Sequence, residues 1–132
     1  MYEQLKARVD ALYLEYVFPV LATLRLGEDP AAVAYETELL AAARTAGIRV
    51  RRYIMPPDLS LAEVEGLIRE INADFLLSAL LVLEPLPPHL EAETVAARIA
   101  PAKRLPKAPL PELLRAVVDA AADAAKPLGT KG

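Results

Sequence analysis

The stretch Ala79-Leu80-Leu81-Val82-Leu83-Glu84-Pro85-Leu86-Pro87 decides how this chain is read. From Ala79 to Leu83 it holds no polar residue, as expected of a strand buried on both faces in the middle of a parallel sheet covered by helices. Pro85 then ends it, because a residue without an N–H cannot continue a central ladder. Ligands of open α/β sheets bind beyond the carboxyl ends of the strands, so Glu84 to His89 is expected to line any crevice.

Reading toward the amino terminus, the strand is expected to start at Phe75, after Asn72-Ala73-Asp74 has ended a helix. That helix, Leu61 to Ile71, opens with a capping box from Ser60 and Glu63 and a hydrophobic staple from Leu59 and Val64. Before it, Ile48 to Ile54 has strand composition, and Arg49, Arg51 and Arg52 mark it as an edge strand or one with a wet face. Gly47 is placed as the left-handed cap of a helix from Pro30 to Ala46, whose start is signalled by Asp29 as cap and Pro30 in the first turn. Val20 to Leu26 is a further strand. Leu5, Val9, Leu12 and Tyr16 share one face of an amphipathic first helix, Tyr2 to Tyr16, which Phe18-Pro19 breaks.

Toward the carboxyl terminus, Glu91 to Ala100 is expected to be a short helix. Pro101 to Pro109, with three prolines, reads as a stiff extended linker. A last helix, Leu110 to Ala125, keeps Leu110, Leu114, Val117, Val118 and Ala121 on one stripe, and Pro127 and Gly129 release the chain. Alternating strands and helices predict an α/β fold: three layers, a mainly parallel sheet with helices on both faces, and right-handed crossovers.

A chain of 132 residues is one domain with room for a real core. The absence of cysteine excludes disulfides, thiolate catalysis, cysteine zinc sites and iron–sulfur clusters, and it suits a reducing cytoplasm. Met1 leads straight into an acidic, amphipathic segment without a signal-peptide pattern, and no apolar run reaches membrane-spanning length. A net charge of −3 and a pI near 5.2 leave no electrostatic footprint for nucleic acid. The single histidine, His89, is too few for a metal centre built from several histidines. Abundant Ala, Leu, Arg and Pro, with 5 glycines, would suit a heat-tolerant, thermostable protein.

Eight segments stand in a distinctive order and spacing: Pro19-Val20-Leu21-Ala22, Gly27-Glu28-Asp29-Pro30-Ala31, Tyr35, Ala43 to Ile48, Met55-Pro56, Ile71-Asn72-Ala73-Asp74, Leu81 to Pro87 and Ile99 to Lys103. Together they resemble the N-terminal catalytic domain of the bifunctional methylenetetrahydrofolate dehydrogenase/cyclohydrolase family, from about Leu5 to Lys103. The resemblance implies one-carbon folate chemistry and a division into residues 1–103 as the catalytic-domain-like unit, 104–109 as a Pro-rich linker, and 110–126 as a helix packing on the same domain or on a partner.

It also implies losses. The family's Y-V-x-x-K signature is matched by Tyr35-Glu36-Thr37-Glu38-Leu39, which keeps the pterin-packing tyrosine and puts Leu39 at the position of the proton-transferring lysine. V-Q-L-P-L-P is matched by Val82 to Pro87, with Leu83 at the glutamine that orients that lysine and Glu84 beside it. P-x-K-D-V-D-G is matched by Pro101 to Lys107, which retains Lys103 and puts Pro106 at the pterin-binding aspartate. No glycine-rich dinucleotide motif or NADP-binding domain is visible, so no cofactor is expected in this chain.

Tyr35, Leu39, Leu83, Glu84, Pro85 and Lys103 are thus candidates for a remnant ligand pocket with no catalytic residue. Plainer readings stand beside these: Tyr35 as packing, Glu84 as solvated or paired with Lys103 or Arg104, His89 as a solvent-facing loop residue, and Arg49, Arg51 and Arg52 as a wet strand face. Glu36 and Glu38 are expected to repel a polyanionic folate. The leading expectation is a non-catalytic, cytoplasmic binding or interaction module, homodimeric, with a small-molecule ligand or protein partner. Residual folate-enzyme activity, alone or with a separate dehydrogenase subunit, and a small-molecule sensor are the alternatives.

Overall fold

Three parallel strands, β1 (Val20–Leu26), β2 (Arg49–Met55) and β3 (Ala79–Val82), pair in the order β2-β1-β3 in a computed structural model that describes residues 1–126. The release expected at Pro127 and Gly129 lies outside the described residues. Val20 to Leu26 of β1 register with Arg49 to Met55, and Leu21 to Leu24 with Ala79 to Val82. Around them lie α1 (Glu3–Leu14), α2 (Pro30–Ala46), α3 (Leu61–Ala73), α4 (Ala92–Ala96), a 3-10 turn at Pro101–Lys103, and α5 (Leu110–Ala124).

Both faces of the sheet are covered. Leu21, Ile48 and Ala79 meet Val9 of α1, Leu39 of α2 and Leu114 of α5 on one side; Ala22, Leu24 and Leu80 meet Val64 and Ile68 of α3 and Val95 of α4 on the other. Successive β1 residues point to opposite faces, so each layer receives every second side chain. The β1-to-β2 connection through α2 and the β2-to-β3 connection through α3 run in opposite directions across the sheet. A common right hand then places those helices on opposite faces, as found. α5 buries Leu113, Leu114, Val117, Val118 and Ala121 against this same domain.

Two expectations about the founding stretch need correcting. The central strand is β1, buried from Leu21 to Leu26, whereas β3 is an edge strand among the described residues, with Leu81 and Val82 half-buried. The apolar run at β3 is long because α5 and the 3-10 turn cover it, not because strands flank it. Nor does it start at Phe75. Asp74 Oδ1 accepts the Leu76 N–H at 3.0 Å and the Asp74 carbonyl accepts from Leu77 at 3.1 Å, a local turn that competes with the ladder. Phe75 is left 91 % exposed and Leu76 65 %.

The other local signals are met. Ser60 and Glu63 form both bonds of the capping box, Asp29 Oδ1 accepts from Ala31 N at 2.9 Å, and Gly47 adopts φ 81°. Pro101 to Lys103 is a helical turn and not extended linker, so the stiff run starts at Arg104. Asn72 fixes that turn by donating to Arg98 O at 2.8 Å and accepting from Ala100 N at 2.9 Å. α4 stops at Ala96, short of the expected Ala100, and α1 at Leu14, because Tyr16 takes a left-handed conformation.

Candidate functional site

Strand ends in a doubly wound sheet form a crevice where the connections leave for opposite faces, here between β1 and β3. Gly27 turns the chain at the end of β1. At φ 85° its N–H donates to Met55 O at 2.9 Å, and any Cβ there would meet Pro57 at 2.9 Å, so only glycine closes the turn against the β2 end. Asp29 and Pro30 start α2 directly afterward, which sets Tyr35 beside the β3 end.

The cavity instead follows the free edge of β3 to its carboxyl end: it holds about 400 Å³, no β1 residue lines it, and its walls include Tyr35, Leu83, Glu84, Leu86, Pro106 and Lys107. Tyr35 is half-buried and also packs on the α1/α2/α5 core; burial first, and the charge of Glu38 second, push its phenol pKa up. Leu83 is buried, its N–H donating to Leu24 O at 2.9 Å. Glu84 is exposed and Pro85, joined to it by a cis peptide, stands outside the cleft wall.

Two of the candidate residues lie elsewhere. Leu39 is 0 % exposed within the α2 core layer and does not line the cleft. Lys103 sits at the opposite, amino end of the sheet, where its Nζ donates to Ile71 O at 2.6 Å and Asp74 O at 2.5 Å. Burial lowers its pKa, against the opposing charge of Asp74. Glu84 therefore gains no partner from Lys103, and Arg104 is engaged with the carbonyls of Ile99 and Ala97 at 2.9 and 3.2 Å.

The expected repulsion by Glu36 is also corrected. Its carboxylate, 2 % exposed, receives Arg25 Nε at 3.1 Å and Arg52 Nη2 at 3.0 Å, while Arg25 Nη1 donates to Gly27 O at 2.6 Å. Burial alone would push the Glu36 pKa up; hydrogen bonds and charge from Arg52 and Arg25 overcome it and hold the group below the ordinary carboxylate range. Arg52 is thus a partner of Glu36 and not merely part of a wet face, while Arg49 lies over Phe18 at 5.8 Å and Arg51 over Tyr53 at 5.4 Å. His89 is exposed, with Nε2 2.7 Å from Leu59 O.

Lys107 was not singled out by the sequence, although it is the lysine that lines the cleft. Its only signal was the position next to Pro106. Arg25 was likewise missed, and the signal for it was a lone charge inside an apolar strand, followed by a glutamate on the next helix. Among the described residues no cluster of three or more His, Cys, Asp or Glu side chains is arranged to hold a metal. No helix of the described residues is long and apolar enough to cross a membrane.

A doubly wound parallel sheet with a cleft at the edge and exit of β3 defines a domain of the kind on which α/β enzymes place their chemistry. Residues 1–105 match the family model described as tetrahydrofolate dehydrogenase/cyclohydrolase, catalytic domain, and the chain belongs to that family. The bifunctional protein FolD of Thermus thermophilus is 38 % identical over 103 residues, covering 78 % of this chain and 36 % of that protein. Its counterpart from Lactobacillus delbrueckii subsp. bulgaricus is 38 % identical over 101 residues, again covering 36 % of the relative. Among solved structures, the bifunctional methylenetetrahydrofolate dehydrogenase/cyclohydrolase FolD from Campylobacter jejuni superposes with a TM-score of 0.76 at 26 % identity, over 78 % of this chain and 36 % of that one. The chain spans little more than a third of the length of these relatives.

Proposed function

We propose that this chain is a non-catalytic relative of the folate enzyme's catalytic domain, and that it uses the carboxyl-end cleft to bind a small molecule. The observation that carries this reading is Leu39: at the position where the family pattern holds its proton-transferring lysine, a leucine is sealed in the core at 0 % exposure. General acid–base catalysis needs a group with a transferable proton, and Leu39, Leu83 and Pro106 offer none. A cleft of suitable size supports the binding part of the reading. Its volume of about 400 Å³ falls within the roughly 300–1,000 Å³ of small-molecule sites, and Tyr35 supplies an aromatic wall. The homodimer expected from the sequence belongs to the same reading and is measured by sedimentation velocity.

Lys107 supports a second reading, residual hydrolysis of methenyltetrahydrofolate with a relocated amine, because it shares the cleft with Tyr35. Following the absorbance of methenyltetrahydrofolate with the pure protein separates the two. The proposal expects no decay beyond the uncatalysed rate, together with a rise in melting temperature for a cleft ligand that binds the folded state. Protein-dependent decay that disappears in Lys107→Ala would overturn it in favour of the second reading.

A further inference from the structure

At the amino end of the sheet, opposite the cleft, the loop before β1, the start of β2, the loop before β3 and the last turn of α5 enclose a groove of about 700 Å³. Four of its lining residues are large and turned to solvent: Tyr16 at 84 %, Phe18 at 42 %, Phe75 at 91 % and Leu76 at 65 %. Tyr16 is held there at φ 61°, a left-handed conformation that a tyrosine rarely adopts. The groove is also charged against the rest of the molecule. In a chain of net charge −3, the charged residues lining it are Arg49, Arg51 and Lys103, with no Asp or Glu among the described ones. Asp74 reaches Arg51 from the side at 3.7 Å, and Arg51 remains 58 % exposed.

We propose that this groove is the docking site for a peptide segment of another protein, acidic and carrying aromatic or branched aliphatic side chains. Three features select that occupant. Guanidinium groups resting on aromatic rings, Arg49 on Phe18 and Arg51 on Tyr53, keep donors free for carboxylates. Side chains as exposed as Phe75 and Tyr16 stand at the rim and need covering from outside, which a chain lying across the surface does; a small ligand is enclosed by its site. A second copy meeting groove to groove would set Arg49 and Arg51 of each protomer against those of its partner, a like-charge contact that costs affinity. This site is independent of the carboxyl-end cleft, so its failure would leave the proposed function standing.

The test is selection of phage-displayed random short peptides on the full-length chain, repeated on Phe75→Ser and on Arg49→Glu/Arg51→Glu. Selected sequences should combine Asp or Glu with Phe, Trp, Leu or Ile. Recovery should fall by at least about tenfold on either variant, and with added salt. All three substituted residues are exposed, and melting temperatures check that the variants fold; should the charge variant unfold, Phe75→Ser decides alone. No enrichment, a basic or uncharged consensus, or equal recovery on the variants overturns the proposal. So does self-association of the wild type abolished by Phe75→Ser, which makes a second copy the occupant. A chain shortened after Lys126 that gains about tenfold in recovery assigns the groove to residues 127–132 instead, and overturns it as well.

Discussion

Both ends of the sheet bury charge, and the two ends neutralise it by different means. At the carboxyl end Glu36, 2 % exposed, lies between two guanidinium groups; at the amino end Lys103, 9 % exposed, lies between two backbone carbonyls. The carboxyl end is also where Leu83 and Pro106 stand, at positions that the resemblance assigns to polar residues, and the buried charge of Glu36 serves internal structure. Glu36 itself occupies the valine of the Y-V-x-x-K pattern, one residue after Tyr35. The amino end has done the reverse. It retains the lysine of P-x-K and uses it as a fastener that joins the 3-10 turn to the end of α3. A charge facing an opposite charge is worth most when both are present and does most harm when one is lost, whereas a charge facing dipoles depends on no single partner.

The largest expected effect breaks the carboxyl end of this comparison. Glu36→Val leaves Arg25, itself only 7 % exposed, without its counter-charge, and should cost about 3–5 kcal/mol in urea unfolding. Adding Arg25→Leu should recover most of that loss, since an apolar pair of similar volume replaces a buried ion pair at little cost. If the double variant is as unstable as Glu36→Val alone, the network matters for more than mutual neutralisation.

Acid titration sharpens the same point. The Glu36 pKa is lower in the folded protein than in the unfolded chain, so between the two values the unfolded state binds more protons. Its contribution is therefore complete above the unfolded value of about 4.3 and is lost as pH falls through the folded one. The Arg25→Leu/Glu36→Val variant should lose less stability over that acid range than the wild type. Lys103 titrates at the other limb. Its folded pKa is also lowered, so the charged amine is disfavoured by burial, and stability should rise as pH climbs toward the ordinary lysine value of about 10.4. Lys103→Met should lack that rise, and at neutral pH it should cost about 1–3 kcal/mol for the two carbonyls that lose their donor.

Both buried networks escaped the sequence, and the reason is distance along the chain. Asp29-Pro30, Gly47 and the Ser60/Glu63 box are legible because donor and acceptor lie within one turn of each other. Arg25 meets a glutamate on the following helix, and Lys103 meets carbonyls from the far end of α3; neither neighbour follows from local spacing. The same limit explains the misplaced centre of the sheet. β1 is central although it carries an arginine and a threonine, because Glu36 compensates the arginine, while the purely apolar β3 run is shielded by α5. The cleft was legible only in part: resemblance located Tyr35, Leu83 and Glu84 at one wall, but matching motifs could not say that Lys103 faces away from them or that Lys107 faces in.

The smallest expected effect concerns the amino end, where strain and not charge is the observable. α1 finishes in a Schellman arrangement, with Val17 N donating to Leu12 O at 2.9 Å and Tyr16 N to Tyr13 O at 3.0 Å. The left-handed position in that motif is normally glycine, and here it is Tyr16. Because the ring is 84 % exposed, removing it sacrifices little packing, while Tyr16→Gly relieves a backbone penalty of about 1–2 kcal/mol, partly offset by the greater freedom of glycine in the unfolded chain. A net gain of about 0.5–1 kcal/mol is expected, read as a higher urea midpoint. A more stable variant that recovers fewer acidic peptides would show that the tyrosine holds its strained position for a contact made outside this chain. A less stable one would instead make the ring part of the α1 cap, and would remove strain from the case for the groove.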